Sequence, residues 1–167
     1  MCSFVYNKNM FRKLTRVKQE ISREECVKVL KEAPRGVLSV LGDNGYPYGM
    51  PMNFLFDEAS GRIYFHGGRK GHKIDALKRD NKVSFCVYDE GFRREGEWAL
   101  NIKSVIIFGR ISFIEDPARI VEISRALSYK YTSDSEYIEN EIKHFSAGTL
   151  CMELIPENIC GKVVNES

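Results

Sequence analysis

Between residues 36 and 56 the chain reads GVLSVLGDNGYPYGMPMNFLF, two apolar runs rich in branched and aromatic residues on either side of Asp43-Asn44-Gly45. A tight hairpin turn needs positive φ at both central residues, and Asn-Gly supplies it, so this segment predicts two antiparallel strands. Asp57 to Gly61 (DEASG) is a second turn signal. After it Arg62 to His66 predicts a third strand, with Ile63 and Phe65 on one face and Tyr64 and His66 on the other. Gly67-Gly68 is expected to break that strand, and from Gly71 the spacing of Ile74 and Leu77 predicts two turns of helix ending near Asn81. VSFCVY then reads as a buried strand, residues 89–101 as a long polar loop, and Lys103 to Ile114 as a long strand with a bulge or bend at Gly109. Gly148 to Ile155 and Asn158 to Val164 supply closing strands.

Helices sit around this β framework. Ser22 and Glu25 form a capping box that predicts a helix over Arg23 to Ala33, before Pro34 and Gly36. Asp116-Pro117 starts another that runs to about Tyr129, and a second capping box, Ser133 to Glu136, opens a shorter one to about Phe145. Six or seven antiparallel strands with three or four helices make an α+β fold, and a sheet of that size hides its edges by curling into a barrel. At 167 residues the chain is expected to be one domain, with residues 1–20 as an N-terminal arm.

No apolar run approaches the ~20 residues that span a bilayer, so neither a membrane partner nor export is expected and the location is read as cytoplasmic. Five scattered cysteines (Cys2, Cys26, Cys86, Cys151, Cys160) without CxxC spacing suit reduced thiols, not a disulfide framework or a metal site. Net charge is +2, but the basic charge is local. Residues 1–35 carry nine Lys or Arg against four acids and residues 62–82 carry seven against two, whereas residues 115–167 carry five against ten. The first stretch lacks interleaved aromatics and reads as a solvated arm with no nucleic-acid partner. In the second, RIYFHGGRKGHKIDALKRDNK, Gly71-His72-Lys73 at the head of a helix combines backbone donors, the positive helix end and an ammonium. That chemistry suits an anionic ligand.

The runs GYPYGMPMNF, IYFHGGRKGHKIDAL, KVSFCV and SVIIFGRI resemble the FMN-binding split-barrel superfamily of the pyridoxamine 5'-phosphate oxidase type, and within it the nitroimidazole-resistance (Nim) proteins. The resemblance spans Ile21 to Lys162 and implies a split β-barrel, FMN as cofactor with FAD as a variant, and a homodimer with cofactor sites at its interface. His72-Lys73 ahead of Leu77 stand where the family places an Arg-Lys pair on the phosphate, the Lys kept and the Arg not. His66 stands where the Nim-like pattern has a histidine by the active site, a catalytic candidate that would donate a proton or hydrogen-bond a carboxylate or nitro group. Met52 and Asn53 fall beneath the isoalloxazine ring, Ser104 resembles a cofactor contact from the partner subunit, and Trp98 is either a lid or a loop anchor.

The vitamin B6 substrate segments resembling RxxR and W-x-x-x-R-L have no counterpart in the closing ENICGKVVNES, so that substrate is not expected. No GxGxxG follows a strand, so electrons would come from an external reductant such as NAD(P)H or a reduced flavin donor. The resemblance thus implies a flavin-dependent reductase of small molecules such as nitro-aromatics. The alternative is a flavin- or haem-binding module without turnover.

Overall fold

The computed structural model of the protein describes residues 10–145 and 148–165. Its elements run α1 (Arg23–Glu32), β1 (Arg35–Leu41), β2 (Pro47–Asn53), β3 (Leu55–Asp57), β4 (Arg62–Gly68), α2 (His72–Arg79), β5 (Lys82–Tyr88), β6 (Asn101–Ile114), α3 (Pro117–Tyr129), α4 (Ser135–Phe145) and β7 (Thr149–Asn165). The seven strands form one antiparallel sheet in the order β2-β1-β5-β6-β7-β4-β3. Its two edge strands, β2 and β3, are consecutive in the chain and separated only by Phe54, so the sheet must curl until its edges meet. This is the expected α+β fold with a curled, split barrel.

The segment PYGMPMNFLF therefore is not one strand. β2 pairs with β1 and β3 with β4, and the chain turns the corner at Phe54. Tyr131, just past α3, fixes that corner: its hydroxyl accepts from the Phe54 backbone N–H at 3.0 Å and donates to the Pro34 carbonyl at 2.6 Å. Beside it the Lys130 ammonium lies 3.7 Å from the centroid of the fully buried Phe54 ring, and burial pushes its pKa down to about 8. A cation over a ring face keeps some of the attraction lost with water.

Local signals decided many boundaries. Ser22 and Glu25 exchange both capping-box hydrogen bonds, at 3.0 and 3.2 Å, and Asp116 caps α3 through the Ala118 N–H at 3.0 Å. Asn44 (φ 56°) and Gly45 (φ 78°) make the β1–β2 hairpin turn. Other expectations need correction. β4 runs on through Gly67 and Gly68, because Leu150 and Thr149 pair with them. The two closing strands are one, β7, which passes Pro156 with a register shift opposite Phe108 and Gly109, so that the extra residue, Glu157, lies on β7 and not on β6. Pro156 is tolerated because a bulge releases it from the ladder. α4 is capped by Asp134, which accepts from the Tyr137 N–H at 2.9 Å, and not by Ser133. The arm is not wholly solvated: Phe11 stacks on Phe108 with ring centroids 5.7 Å apart. Residues 1–9 of the arm and Cys2 lie outside the described residues.

Alternate strand residues fill the barrel. Leu38, Val40, Ile63, Phe65, Phe85, Val87, Val105, Ile107, Met152 and Leu154 point inward, and α1 and α2 add Cys26, Val29, Leu30, Ile74 and Leu77 to the same core. α2 is thus fixed against the barrel by its apolar side. A second cluster outside the barrel packs Ile120 and Ile123 of α3 on Tyr64 and Cys151. Among the described residues no helix is long and apolar enough to cross a membrane.

Candidate functional site

The short βα turn at residues 69–71 joins two rigidly held elements, β4 in the sheet and α2 in the core. Gly71, with φ 117°, caps α2 and offers no side chain to its first turn. A side chain at that φ would be strained, so glycine is needed for the chain to enter the helix directly from the strand.

Lys73 turns back from α2 toward the gap between β2 and β4. Its Nζ donates to Met52 Sδ at 3.6 Å and lies 3.3 Å from where a Cβ of residue 67 would stand. Gly67 therefore makes room for the ammonium. Burial lowers the Lys73 pKa, and among the described residues no carboxylate pairs with it. A half-buried cation whose hydrogen-bond partner among the described residues is a thioether is short of negative charge. The deficit suits a phosphate: the site has a cation given room by Gly67 and a helix end without a side-chain cap. These residues fit the phosphate of a mononucleotide.

His66, at the end of the Tyr64 face of β4, is half-buried and makes no hydrogen bond among the described residues. Burial first, and the nearby Lys73 charge second, hold its pKa below the ordinary imidazole value. The ring is neutral at pH 7 and offers one N–H donor and one bare nitrogen. Hydrogen bonding to a substrate oxygen fits that state better than full proton transfer, which would need the imidazolium that burial and Lys73 oppose.

Met52 points inward on β2 against the core, and Asn53, next along, faces outward and is half-buried with its amide unpaired among the described residues. Met52 and Lys73 come together at the gap between the sheet edges, and His66, on the other face of β4, is near enough for the Lys73 charge to lower its pKa. His72 does not join them. Its ring stacks on Tyr48 at 4.3 Å and 12°, and its Nε2 lies 3.4 Å from Asp43 Oδ2, a carboxylate that also receives Arg79 at 2.6 Å. The backbone of His72 still belongs to the uncapped first turn of α2, and that turn is its contribution to the site. Ser104 is on β6, in register with Tyr88 and Lys162, and β1 and β5 separate its strand from β2. No residue of its own chain brings it to Lys73. Trp98 is 77% exposed, and its backbone carbonyl accepts from Arg93 Nε at 2.9 Å.

The sequence model of the pyridoxamine 5'-phosphate oxidase family matches residues 22–163, from the cap of α1 to the end of β7. The chain belongs to that family. Solved structures carry the same split barrel at low identity. One is a candidate 5-nitroimidazole antibiotic resistance protein from Bacteroides thetaiotaomicron, similar over 86% of this chain and 85% of that one, with a TM-score of 0.72 and 21% identity. A FAD-binding protein from Mesorhizobium loti is similar over 87% and 97%, with a TM-score of 0.62 and 22% identity. A FAD and haem binding protein from Mycobacterium smegmatis is similar over 87% and 73%, with a TM-score of 0.65 and 22% identity. No curated protein matches the sequence. At these identities the structural likeness establishes the fold of a pyridoxamine 5'-phosphate oxidase family member and leaves the reaction to its own side chains.

Two residues of the site were beyond sequence reasoning. Tyr48, which holds the His72 ring, and Asp43, which pairs with it, lie 24 and 29 positions earlier, and only the folded β1–β2 hairpin brings them against α2. Neither belongs to the glycine- and cation-rich segment that drew attention to the site.

Proposed function

We propose that this single-domain chain is an FMN-binding protein that uses the flavin to reduce small molecules of the nitro-aromatic kind. One observation carries the proposal: Lys73, a half-buried ammonium without a carboxylate among the described residues, stands beside Gly67 and a helix end without a side-chain cap. Lys73 and the first turn of α2 would hold the phosphate, whose charge would restore the ordinary pKa of the lysine. Met52 would supply apolar packing and Asn53 an amide for the polar edge of the ring. When bound, FMN would carry electrons from an external reductant to the acceptor. Membership of the family does not carry vitamin B6 chemistry to this chain, whose closing segment lacks the motifs for that substrate. The resemblance implies a homodimer, and the sheet of this chain is suited to that. Its outward positions Pro51, Val37, Cys86, Ile106 and Cys160 lie in one register across five strands, with Gly49, Ser39, Ser84, Phe108 and Asn158 in the next row. None of the ten is charged and all are at least partly exposed, so a second copy is the natural cover and would bring Ser104 to a cofactor edge. Light scattering should give the mass of two chains; a single-chain mass with flavin bound contradicts the pairing.

His66 would meet the acceptor. Its N–H is expected to hydrogen-bond a nitro or carboxylate oxygen, a contact worth ~1.5 kcal/mol, so His66→Ala should slow acceptor reduction by pre-reduced protein about 10-fold with FMN occupancy near that of the parent. An unchanged rate would return His66 to a structural role. A second reading, a flavin or haem holder without turnover, draws on the same residue, because a neutral imidazole without a hydrogen-bond partner among the described residues would also hold a haem iron. The visible spectrum of the purified protein separates the two: a flavin band bleached by NADH or NADPH supports the reductase, and a Soret band supports the haem holder.

A further inference from the structure

On the other side of the α2 entrance lies an open groove of about 350 Å³, lined by Arg69, Ile74, Lys78, Phe113, Glu115 and Leu150. Arg69 stands in the turn before α2, and Lys78 lies one turn along the helix from Ile74. Neither cation has an ion-pair partner among the described residues, whereas Arg79, next to Lys78, is taken by Asp43 at 2.6 Å. Between the two cations the floor is apolar, with Phe113 half-buried near the end of β6 and Ile74 and Leu150 buried. Exposed cations alone gain little from an anion in water. The floor changes that: a ring lying on Phe113 carries its own acid group to the cations, and a guanidinium meets a carboxylate with two parallel N–H bonds. Glu115 is the one carboxylate in the lining, and with two cations against it the groove still favours an anion. The volume, near the lower end for ligand sites, suits one substituted ring.

We propose that this groove binds a small aromatic carboxylic acid, held by its carboxylate between Arg69 and Lys78 and by its ring on Phe113. The groove adjoins the end of β4 that carries His66: Leu150 of its floor is in register with Gly67, and the Arg69 charge reaches Cys151, the ladder partner of His66. An acid held there is the class of acceptor that the reductase would take, and that role rests on the flavin reading. The groove itself is built from residues other than Lys73, Met52 and Asn53, so its occupancy can be measured without flavin.

Calorimetric titration of the full-length protein with 4-nitrobenzoate tests it, with nitrobenzene as the neutral counterpart and acetate as the counterpart without a ring. 4-Nitrobenzoate is expected to bind about 10-fold tighter than either. The double variant Arg69→Ala/Lys78→Ala changes two exposed side chains outside the core, so its fold should be that of the parent. It should bind 4-nitrobenzoate about 10-fold more weakly, while its affinity for nitrobenzene stays within about twofold of the parent. Equal affinity for the acid and nitrobenzene overturns the proposal, and so does a double variant that keeps the difference. Acetate bound as tightly as the aromatic acid also overturns it, because the floor would then contribute nothing. If the groove served the phosphate of a nicotinamide donor, adenosine 2',5'-bisphosphate would displace 4-nitrobenzoate and bind tighter, which overturns it as well. The site and the flavin reading fail separately: 4-nitrobenzoate bound as expected without uptake of FMN supports the groove and removes the flavin, and FMN uptake without a preference for the acid overturns the groove and leaves the flavin.

Discussion

Gly109→Ala is expected to destabilise the protein by about 3 kcal/mol, near the upper end for overpacking, and to lower Tm by roughly 6–12 °C for a chain of this size. Gly109 is buried in β6 at the register shift, opposite Pro156. A Cβ there would run into the Ile155 carbonyl and stand 2.8 Å from Leu154 Cδ1 and 3.0 Å from the Ile155 carbonyl carbon. The obstacle is backbone of the paired strand, so relief requires β6 and β7 to part where their ladder is longest. Gly148→Ala meets nothing within 4 Å and should stay within about 0.5 kcal/mol of the parent. Thermal unfolding followed by circular dichroism reads both, and equal melting of the two variants would contradict the packing at the bulge.

The same bulge illustrates what the sequence could tell. Gly109 was legible as an irregularity within a strand, but which strand held the extra residue depended on pairing across 47 positions, and Glu157 carries no mark of it. Caps were legible because Ser22–Glu25 and Asp116–Pro117 act within one turn of helix. At α4 two neighbouring residues both had capping chemistry, and Asp134 won over Ser133. The split of β2 from β3 was hidden, since Phe54 continues the apolar run and the hydroxyl that ties its backbone comes from Tyr131, 77 positions on. Gly67-Gly68 look like strand breakers in isolation, yet the ladder to Thr149 and Leu150 holds them extended. In the site, the lysine was legible from its place at a glycine-rich helix entrance. His72 looked equivalent to it, and its ring is turned instead to Tyr48 and Asp43.

The Lys73 variant has the second large effect. A charge-assisted contact to phosphate is worth ~1.5–3 kcal/mol, so Lys73→Ala should weaken FMN binding by roughly 10- to 150-fold. Riboflavin shares the ring but has no phosphate, and its affinity should change little. The variant should fold, because the ammonium is only half-buried and its removal leaves no other group unpaired except the thioether of Met52. Equal losses for FMN and riboflavin would mean that Lys73 shapes the gap between β2 and β4 and does not hold the phosphate. His72→Ala should affect both ligands alike through the packing of Tyr48, which separates its role from that of Lys73.

The central claim is that the α2 entrance is a flavin phosphate site. Titration of FMN into the purified, cofactor-free protein, followed by quenching of flavin fluorescence, tests it most directly. The account predicts saturable quenching at one FMN per chain, with riboflavin bound at least about 10-fold more weakly. Fluorescence that stays at the level of free FMN, or FMN and riboflavin bound with equal affinity, would contradict it.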